Sequence, residues 1–334
     1  MSTIEDNNDL QLGGSGEIIS STNAYTSCDQ NNVDKLPRIT NMVLGATPKC
    51  FSCGKEGISD KMNTCNKCNM AKYCNAACKK KHRKKHKKAC EKRVAELHEE
   101  TLFKEIDPEE CPICMITLPH NVSQTEFKSC CGKYICLGCK HAINISEGKD
   151  ICAFCRTPPP TYNDEDIKRV KNLISKGNAN AFFRLGGFYG SGGRGLPQDL
   201  QKANKLFVKA GELGCAAAYF NLGLSYQVGR GVEMDLKKSK HYYELAAMSG
   251  YIDARHNLGN MEWNEAGNHQ RAMKHYLISA RAGYDLSLDM VRDGFKCGLI
   301  TKDEYANTLR SYQQRQNEIN SDERVNAAIF YASR

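Results

Sequence analysis

The chain has 334 residues, a formal net charge of +9 at pH 7 and 18 cysteines. This length predicts two or three domains rather than one. No stretch approaches the roughly 20 consecutive apolar residues that a membrane-spanning helix needs, so we expect no membrane partner. The first residues carry neither a basic region nor an apolar run, so we do not expect a secretory signal.

The positive charge is concentrated in one place. Residues 79–93 contain ten Lys or Arg and one Glu, which leaves the rest of the chain neutral. Many of the cysteines occur as CxxC pairs, which indicate metal sites rather than disulfides in a reducing compartment. We therefore expect the protein in the cytoplasm, the nucleus or both.

Residues 1–45 are polar and show no apolar period, which predicts a disordered tail. Cys28 within this tail has no neighbouring cysteine pair and is interpreted as a free thiol.

The first cysteine block occupies residues 46–93. Its candidate ligands are Cys50, Cys53, Cys65, Cys68, Cys74, Cys78, His86 and Cys90. His86 and Cys90 are four residues apart, so on a helix both project toward the same ion. His82 lies one turn earlier and is an alternative to His86.

The spacing of this block resembles the MYND zinc finger. The resemblance implies that Cys50, Cys53, Cys74 and Cys78 bind one zinc ion. It assigns the second ion to Cys65, Cys68, His86 and Cys90, and it implies a module that binds peptides or proteins.

The basic run 79–88 lies inside this finger's last helix. A solvated helix face, a nuclear-import signal and contact with nucleic acid or another acidic surface are the alternatives. No aromatic residues alternate with the cations, which disfavours single-stranded nucleic acid, and we do not expect nucleic acid as a partner. The following residues, 94–108, place Val94, Leu97, Leu102 and Ile106 at near-helical spacing, which predicts a helical linker that ends before Pro108.

The second cysteine block occupies residues 109–157. It contains three CxxC pairs and one adjacent pair: Cys111, Cys114, Cys130, Cys131, Cys136, Cys139, Cys152 and Cys155. Eight thiolates suit two zinc ions with four ligands each. A segment this short cannot bury enough apolar surface to fold without metal.

The order of these ligands resembles the RING finger in an all-cysteine variant. The resemblance pairs Cys111 and Cys114 with Cys136 and Cys139, and Cys130 and Cys131 with Cys152 and Cys155. Two departures are Lys133, where the family usually has histidine in a CGH sequence, and Ala153, where it often has proline. The resemblance also implies a ubiquitin-conjugating enzyme as partner, which would dock on Ile113, Phe154 and Arg156.

Residues 158–165 are proline-rich and predict a stiff linker. Residues 166–300 then repeat with a period of 33 to 36 residues, and Leu185-Gly186 recurs as Leu222-Gly223 and Leu258-Gly259. This pattern resembles the Sel-1-like repeat, which implies antiparallel helix pairs stacked into a solenoid that binds proteins. Asp199 and Asp235 stand where an N-cap would begin the second helix of a pair.

Residues 301–334 predict a capping helix and tail, and Thr301 with Glu304 has capping-box form. The sequence Gly190 to Gly195 fits GxGxxG, but it follows a predicted helix and is interpreted as a loop rather than a dinucleotide site. Cys215 and Cys297 are expected to be buried in helical segments.

The sequence therefore predicts a multidomain chain with two zinc-stabilised treble or cross-brace fingers followed by an all-α helical-repeat solenoid. Four zinc ions are expected, two per finger. The leading functional hypothesis is a RING-type ubiquitin-protein ligase that acts by positioning, with no covalent intermediate and no catalytic residue of its own. The alternative is a non-enzymatic, zinc-dependent interaction scaffold.

Overall fold

The computed structural model describes residues 48–58, 61–119, 124–148, 150–264 and 267–332. The predicted tail 1–45, including Cys28, lies outside these residues. Cysteine-rich clusters occupy the N-terminal part, and an all-helical repeat array follows, as the sequence predicts. Within the described ranges, no helix is both long enough and apolar enough to cross a bilayer.

The first finger has very little regular structure before its helix. Strands β1 (Asn63–Thr64) and β2 (Lys72–Tyr73) pair antiparallel, and helix α1 (Ala76–Leu102) follows. The side chain of Asn75 caps α1 by accepting a 2.8 Å hydrogen bond from the N–H of Cys78. Helix α1 continues out of the finger through the predicted linker and ends at Leu102, so Ile106 lies beyond it.

The second finger is built on a β-hairpin and a helix. Strand β3 (Thr125–Lys128) pairs antiparallel with β4 (Lys133–Cys136), and α2 (Leu137–Glu147) follows directly. Its small core contains Cys111, Ile135 and Cys136, each at most 1% exposed. Two of these three residues are candidate ligands, so the core and the metal centre are the same place.

The repeat array consists of antiparallel helix pairs. Its helices are α3 (Asn163–Ser175), α4 (Ala179–Ser191), α5 (Leu200–Glu212), α6 (Ala216–Val228), α7 (Leu236–Met248), α8 (Ile252–Asn264), α9 (His269–Arg281), α10 (Asp285–Lys296), α11 (Lys302–Ile319) and α12 (Asp322–Ala332). The predicted N-caps are confirmed: Asp199 accepts from the N–H of Lys202 at 2.9 Å, and Asp235 accepts from that of Lys238 at 3.0 Å. The GxGxxG sequence begins in the last two residues of α4 and continues into the loop before α5, which confirms that it follows a helix and leads into a loop between helices.

The end of the array folds back onto the second finger. The capping box of Thr301 and Glu304 is present at the start of α11, as predicted. Beyond α11 a second helix, α12, packs against α2, where the ring of Phe330 lies 4.5 Å from that of His141. The C-terminal segment therefore contributes two helices, and the last one belongs structurally to the finger.

The two array cysteines differ in their surroundings. Cys215 is fully buried, as expected. The expectation for Cys297 is wrong, because this residue is exposed just after α10. It is the C-cap of α10, and its neighbours Lys296 and Gly298 are exposed as well.

Candidate metal centres and docking residues

Four CxxC turns share one backbone conformation. In each turn, the residue after the second cysteine has a positive φ, and its N–H donates back to the carbonyl of the first cysteine. These pairs are Gly54 and Cys50 (2.8 Å), Asn69 and Cys65 (2.9 Å), Met115 and Cys111 (2.9 Å), and Arg156 and Cys152 (2.9 Å). The turn directs two sulfur atoms to one side, which is the geometry a chelating pair needs.

The first finger brings its eight predicted ligands together as two groups. One group contains Cys50, Cys53, Cys74 and Cys78, and the other contains Cys65, Cys68, His86 and Cys90. Within each group, all ligand atoms lie within 4.8 Å of one another. Because the groups take alternate pairs from the chain, each ion would link segments that are not adjacent in sequence.

The structure selects His86 rather than His82 for the second group. His86 Nε2 lies 3.2 Å from Cys68 Sγ. His82 instead points at Tyr73, whose hydroxyl lies 3.2 Å from His82 Nδ1. His82 thus supports the site through a buried tyrosine without reaching the ligand group.

The second finger forms one complete group of four. Cys111, Cys114, Cys136 and Cys139 all lie within 4.8 Å of one another. The sulfur atoms of Cys111 and Cys139 are 3.8 Å apart, and those of Cys114 and Cys136 are 3.9 Å apart. Helix α2 positions the last two ligands, because Cys136 is its N-cap.

The other group of this finger is less complete. Cys130, Cys152 and Cys155 lie within 4.8 Å of one another, and Cys131 falls outside this mutual set. Cys131 Sγ is nevertheless 3.7 Å from Cys152 Sγ, so it remains at the edge of the group. The order of the pairs again alternates, so this finger has the cross-brace arrangement of ligands.

The sulfur spacing fits tetrahedral zinc. With Zn–S distances of about 2.3 Å, two thiolates on one ion are about 3.8 Å apart. The distances between Cys53 and Cys74 and between Cys65 and Cys90 are both 3.7 Å, close to this value. A disulfide would bring the sulfurs to about 2.05 Å, and the finger cysteines are free thiols in the structure. The donor sets therefore fit zinc.

Hydrogen bonds also favour the thiolate form of two ligand cysteines, Cys65 and Cys155. Burial acts to raise the pKa of Cys65, but hydrogen bonds from the backbone N–H groups of Cys68 and Lys67 outweigh it and lower the pKa to about 6. Burial likewise opposes the shift at Cys155, where hydrogen bonds from Thr157 lower the pKa to about 7. Zinc binds thiolate rather than thiol, so these N–H groups assist binding.

The three predicted docking residues lie on CxxC turns of the second finger and are accessible. Ile113 is 38% exposed and Phe154 is 36% exposed. Lys133 Nζ lies 4.2 Å from the centre of the Phe154 ring. The Arg156 guanidinium forms two hydrogen bonds to Glu147, at 2.8 and 2.9 Å. Donation from Arg156 lowers the pKa of the Glu147 carboxyl.

One contributor to the second finger is not apparent from the sequence. Arg324 of α12 is 7% exposed and donates to the carbonyls of Thr117 (2.6 Å) and Ile116 (3.2 Å). Its Nη2 also lies 3.6 Å from Cys114 Sγ, where a cation offsets the negative charge of a thiolate site. The residue lies 210 positions after this ligand, and no local pattern marks it.

Comparison with known families agrees with two of the three modules. Residues 50–90 match the MYND finger. Residues 179–215, 216–251 and 252–284 match the Sel1 repeat, and these ranges coincide with the helix pairs α4–α5, α6–α7 and α8–α9. The chain thus contains a zinc-binding MYND finger followed by Sel1 repeats, which are modules of protein–protein interaction.

Several curated proteins resemble part of the chain. The human protein "Cytochrome c oxidase assembly factor 7" is 34% identical over 106 residues, which is 29% of this chain and 46% of the relative. "ERAD-associated E3 ubiquitin-protein ligase component HRD3B" of Arabidopsis thaliana is 33% identical over 118 residues, 35% of this chain and 18% of the relative. The chain spans less than half the length of these relatives.

Solved structures of repeat proteins also resemble the chain. A Sel1 repeat protein from Oxalobacter formigenes has a TM-score of 0.40 at 25% identity and covers 45% of this chain and 64% of its own. The Escherichia coli antigen c5321 has a TM-score of 0.41 at 19% identity. The match covers 58% of this chain and 44% of the antigen.

Proposed function

We propose that the second finger is a RING-type module that docks a ubiquitin-conjugating enzyme, and that the chain is a ubiquitin-protein ligase. The MYND finger and the Sel1 repeats would recruit its partners or substrates. The observation that carries this proposal is the alternating order of ligand groups in residues 111–155, which joins one CxxC turn to the start of α2 and the other to the turn between β3 and β4. Ile113, Phe154 and Arg156 then lie on those turns and not in a core.

Catalysis in such a module is a matter of positioning. The finger would hold the conjugating enzyme and its ubiquitin thioester so that a substrate lysine attacks the thioester. The rate would increase because the reactants are oriented, and the finger would take no part in the bond changes. Zinc would supply the fold of the two turns. Arg156 would donate hydrogen bonds to the docked pair after leaving Glu147, and Ile113 and Phe154 would bury apolar surface.

The names of two relatives agree with this proposal. Two Arabidopsis thaliana proteins similar to this chain, HRD3A and HRD3B, are components of an ERAD-associated E3 ubiquitin-protein ligase. The likeness covers 20% and 35% of the chain, so it supports a role near ubiquitin transfer without assigning the activity to the second finger.

An autoubiquitination assay of the full chain with a panel of conjugating enzymes tests the proposal. We expect activity with at least one enzyme, and a loss of about tenfold or more in Ile113→Ala and in Arg156→Gly, since each removes a contact worth at least about 1.4 kcal/mol. Glycine is chosen at position 156 because its φ of 57° suits glycine, so the turn is retained.

Met115→Gly is the matched control. Met115 is exposed and has the same φ of 57° at the equivalent place in another CxxC turn. This variant should keep wild-type activity. Silence of the wild-type chain across the panel, with its zinc retained, would contradict the ligase proposal.

One observation favours the alternative, an adaptor that only binds proteins. The Arg156 guanidinium is already held by Glu147 and would have to exchange this partner on docking. An inactive chain whose MYND finger and repeats still capture protein partners is the result that this alternative predicts.

A further inference from the structure

The repeat array holds a segment of the chain's own N-terminal half as a ligand. We call residues 98–106, the last turn of α1 and the loop after it, the docking segment. It lies across α7, α8 and α9, and contacts Glu244, Arg255, Arg271, His275 and Arg281 of these helices. Three of these five are arginines, so the array presents a mainly cationic surface to the segment.

The centre of this contact recognises main chain. Arg255 is 3% exposed and donates to the carbonyls of Leu102 at 2.5 Å and Lys104 at 2.8 Å. These carbonyls stand at and just beyond the end of α1, where the last turn of a helix has unpaired acceptors and a partial negative charge. Arg255 therefore recognises a helix C-terminus rather than a particular side chain.

Side chains on either side of this centre add selectivity. Arg271 forms an ion pair with Glu99, and Arg281 forms one with Glu105 at 2.7 Å. Leu102 is completely buried and belongs to the hydrophobic core of the array. Phe103 places its ring 4.6 Å from that of His275, with the Arg271 guanidinium 5.1 Å from its centre. The pattern is an acid, then Leu-Phe three residues later, then a second acid two residues further on.

The docking segment provides what this surface binds. Arg255 is buried with the segment in place, and the two main-chain carbonyls to which it donates both belong to the segment. The covalent link holds the segment near the surface at an effective concentration on the order of millimolar, so it fills the site in the resting chain. A surface with these properties is a peptide-binding site that its own chain occupies.

We propose that the α7–α9 surface is the array's ligand site, and that it takes a partner protein's acidic helix end of the form Glu-x-x-Leu-Phe-x-Glu when the docking segment leaves. The docking segment is then a competing internal ligand, and its release would free the first finger from the array. This proposal does not depend on ligase activity.

A cleavable full-length chain tests it. A site-specific protease sequence is inserted between Asp107 and Pro108, directly after the exposed residues 104–107. After cleavage, we expect the two parts to co-elute in size-exclusion chromatography. Excess synthetic peptide with the sequence of residues 95–107 should displace the N-terminal part, and the same peptide with Ala at Leu102 and Phe103 should not.

Variants separate recognition from folding. Arg255→Met in the array and Phe103→Ala in the segment should each weaken association of the cleaved parts at least tenfold, and the second leaves the array sequence untouched. Arg292→Met, which changes an exposed arginine of α10, is the control and should keep wild-type association. Spontaneous separation of the wild-type parts, or association that is unchanged in both Arg255→Met and Phe103→Ala, would overturn the proposal.

Discussion

The conformation of the CxxC turns can be predicted from the sequence only in part, and the difficulty lies at the residue after each pair. The cysteines themselves are visible in the sequence, and their grouping follows from the spacing and the family resemblance. The left-handed backbone at Met115 and Arg156 is not visible, because only Gly54 and Asn69 among the four equivalent positions carry residue types that favour it. The CxxC turn as a whole sets this conformation. The N–H of the residue after the second cysteine donates to the carbonyl of the first, and this hydrogen bond fixes φ whatever the side chain.

A second residue-scale feature is a buried histidine at the docking segment. His275 is completely buried, and neither ring nitrogen has a hydrogen-bond partner within the described part of the chain. Burial lowers its pKa well below 6.5, and nearby cations act in the same direction: Arg255 on α8, Arg271 and Lys274 on α9, and Lys240 on α7. The histidine is therefore neutral in the folded chain.

This depressed pKa predicts an acid-dependent loss of stability. As the pH falls through about 6.5, the unfolded chain takes up a proton at His275 and the folded chain does not, so the free energy of unfolding decreases. Between pH 7.5 and 5.5 the loss should be about 1.4 kcal/mol. We expect His275→Phe to remove this part of the pH dependence, as measured by urea unfolding of the helical signal in zinc-containing buffer.

The control is His241→Phe, since His241 is exposed on the neighbouring helix α7. Both variants keep the zinc ligands and His256, whose pKa is also lowered by burial, so their shared pH dependence cancels in the comparison. An unchanged pH dependence in His275→Phe would contradict the assignment.

At the scale of elements, the repeat helices are held together by a glycine facing an aromatic ring. A Cβ on Gly186 would come within 2.7 Å of Phe207, and one on Gly223 within 2.5 Å of Tyr243. Gly259 faces Tyr276 in the same way in the next pair. The recurring Leu-Gly sequence predicts this close approach, because only a residue without a side chain lets the ring of the paired helix lie against the backbone.

Gly223→Ala should therefore destabilise the array by about 1–3 kcal/mol, the usual cost of overpacking. Gly190→Ala is the matched control within a repeat helix, where the new Cβ would meet only Ala203 at 3.8 Å, an ordinary contact. Thermal unfolding followed by the helical signal should show a lower midpoint for Gly223→Ala and an unchanged or higher one for Gly190→Ala. A Gly223→Ala midpoint equal to that of the control would show that the ring can move aside at no cost.

Helix α1 is the element that the sequence describes least well. It is polar on all sides, and such a helix needs support from outside its own sequence. The candidate zinc ligands His86 and Cys90 would anchor its middle, and Leu102 is buried at its C-terminal end. The sequence shows the first anchor through the ligand spacing, whereas the second depends on residues more than 150 positions away.

At the scale of the whole molecule, the fingers and the array form contacts that no periodicity predicts. Arg255 reaches Leu102, Arg324 reaches Thr117, and the Asn180 side chain donates to the Gly132 carbonyl at 3.2 Å. Periodic patterns report which face of an element is buried, but not which distant element covers it. The modules and their order follow from the sequence, and their mutual packing does not.

We infer that metal bound by thiolates shapes residues 50–155, and that the turns shaped in this way carry the docking residues. Native mass spectrometry of the intact chain measures the bound metal. We expect four zinc ions per chain and no disulfide among the finger cysteines. A chain that retains fewer than four ions, or whose finger cysteines are bridged to one another, would contradict it.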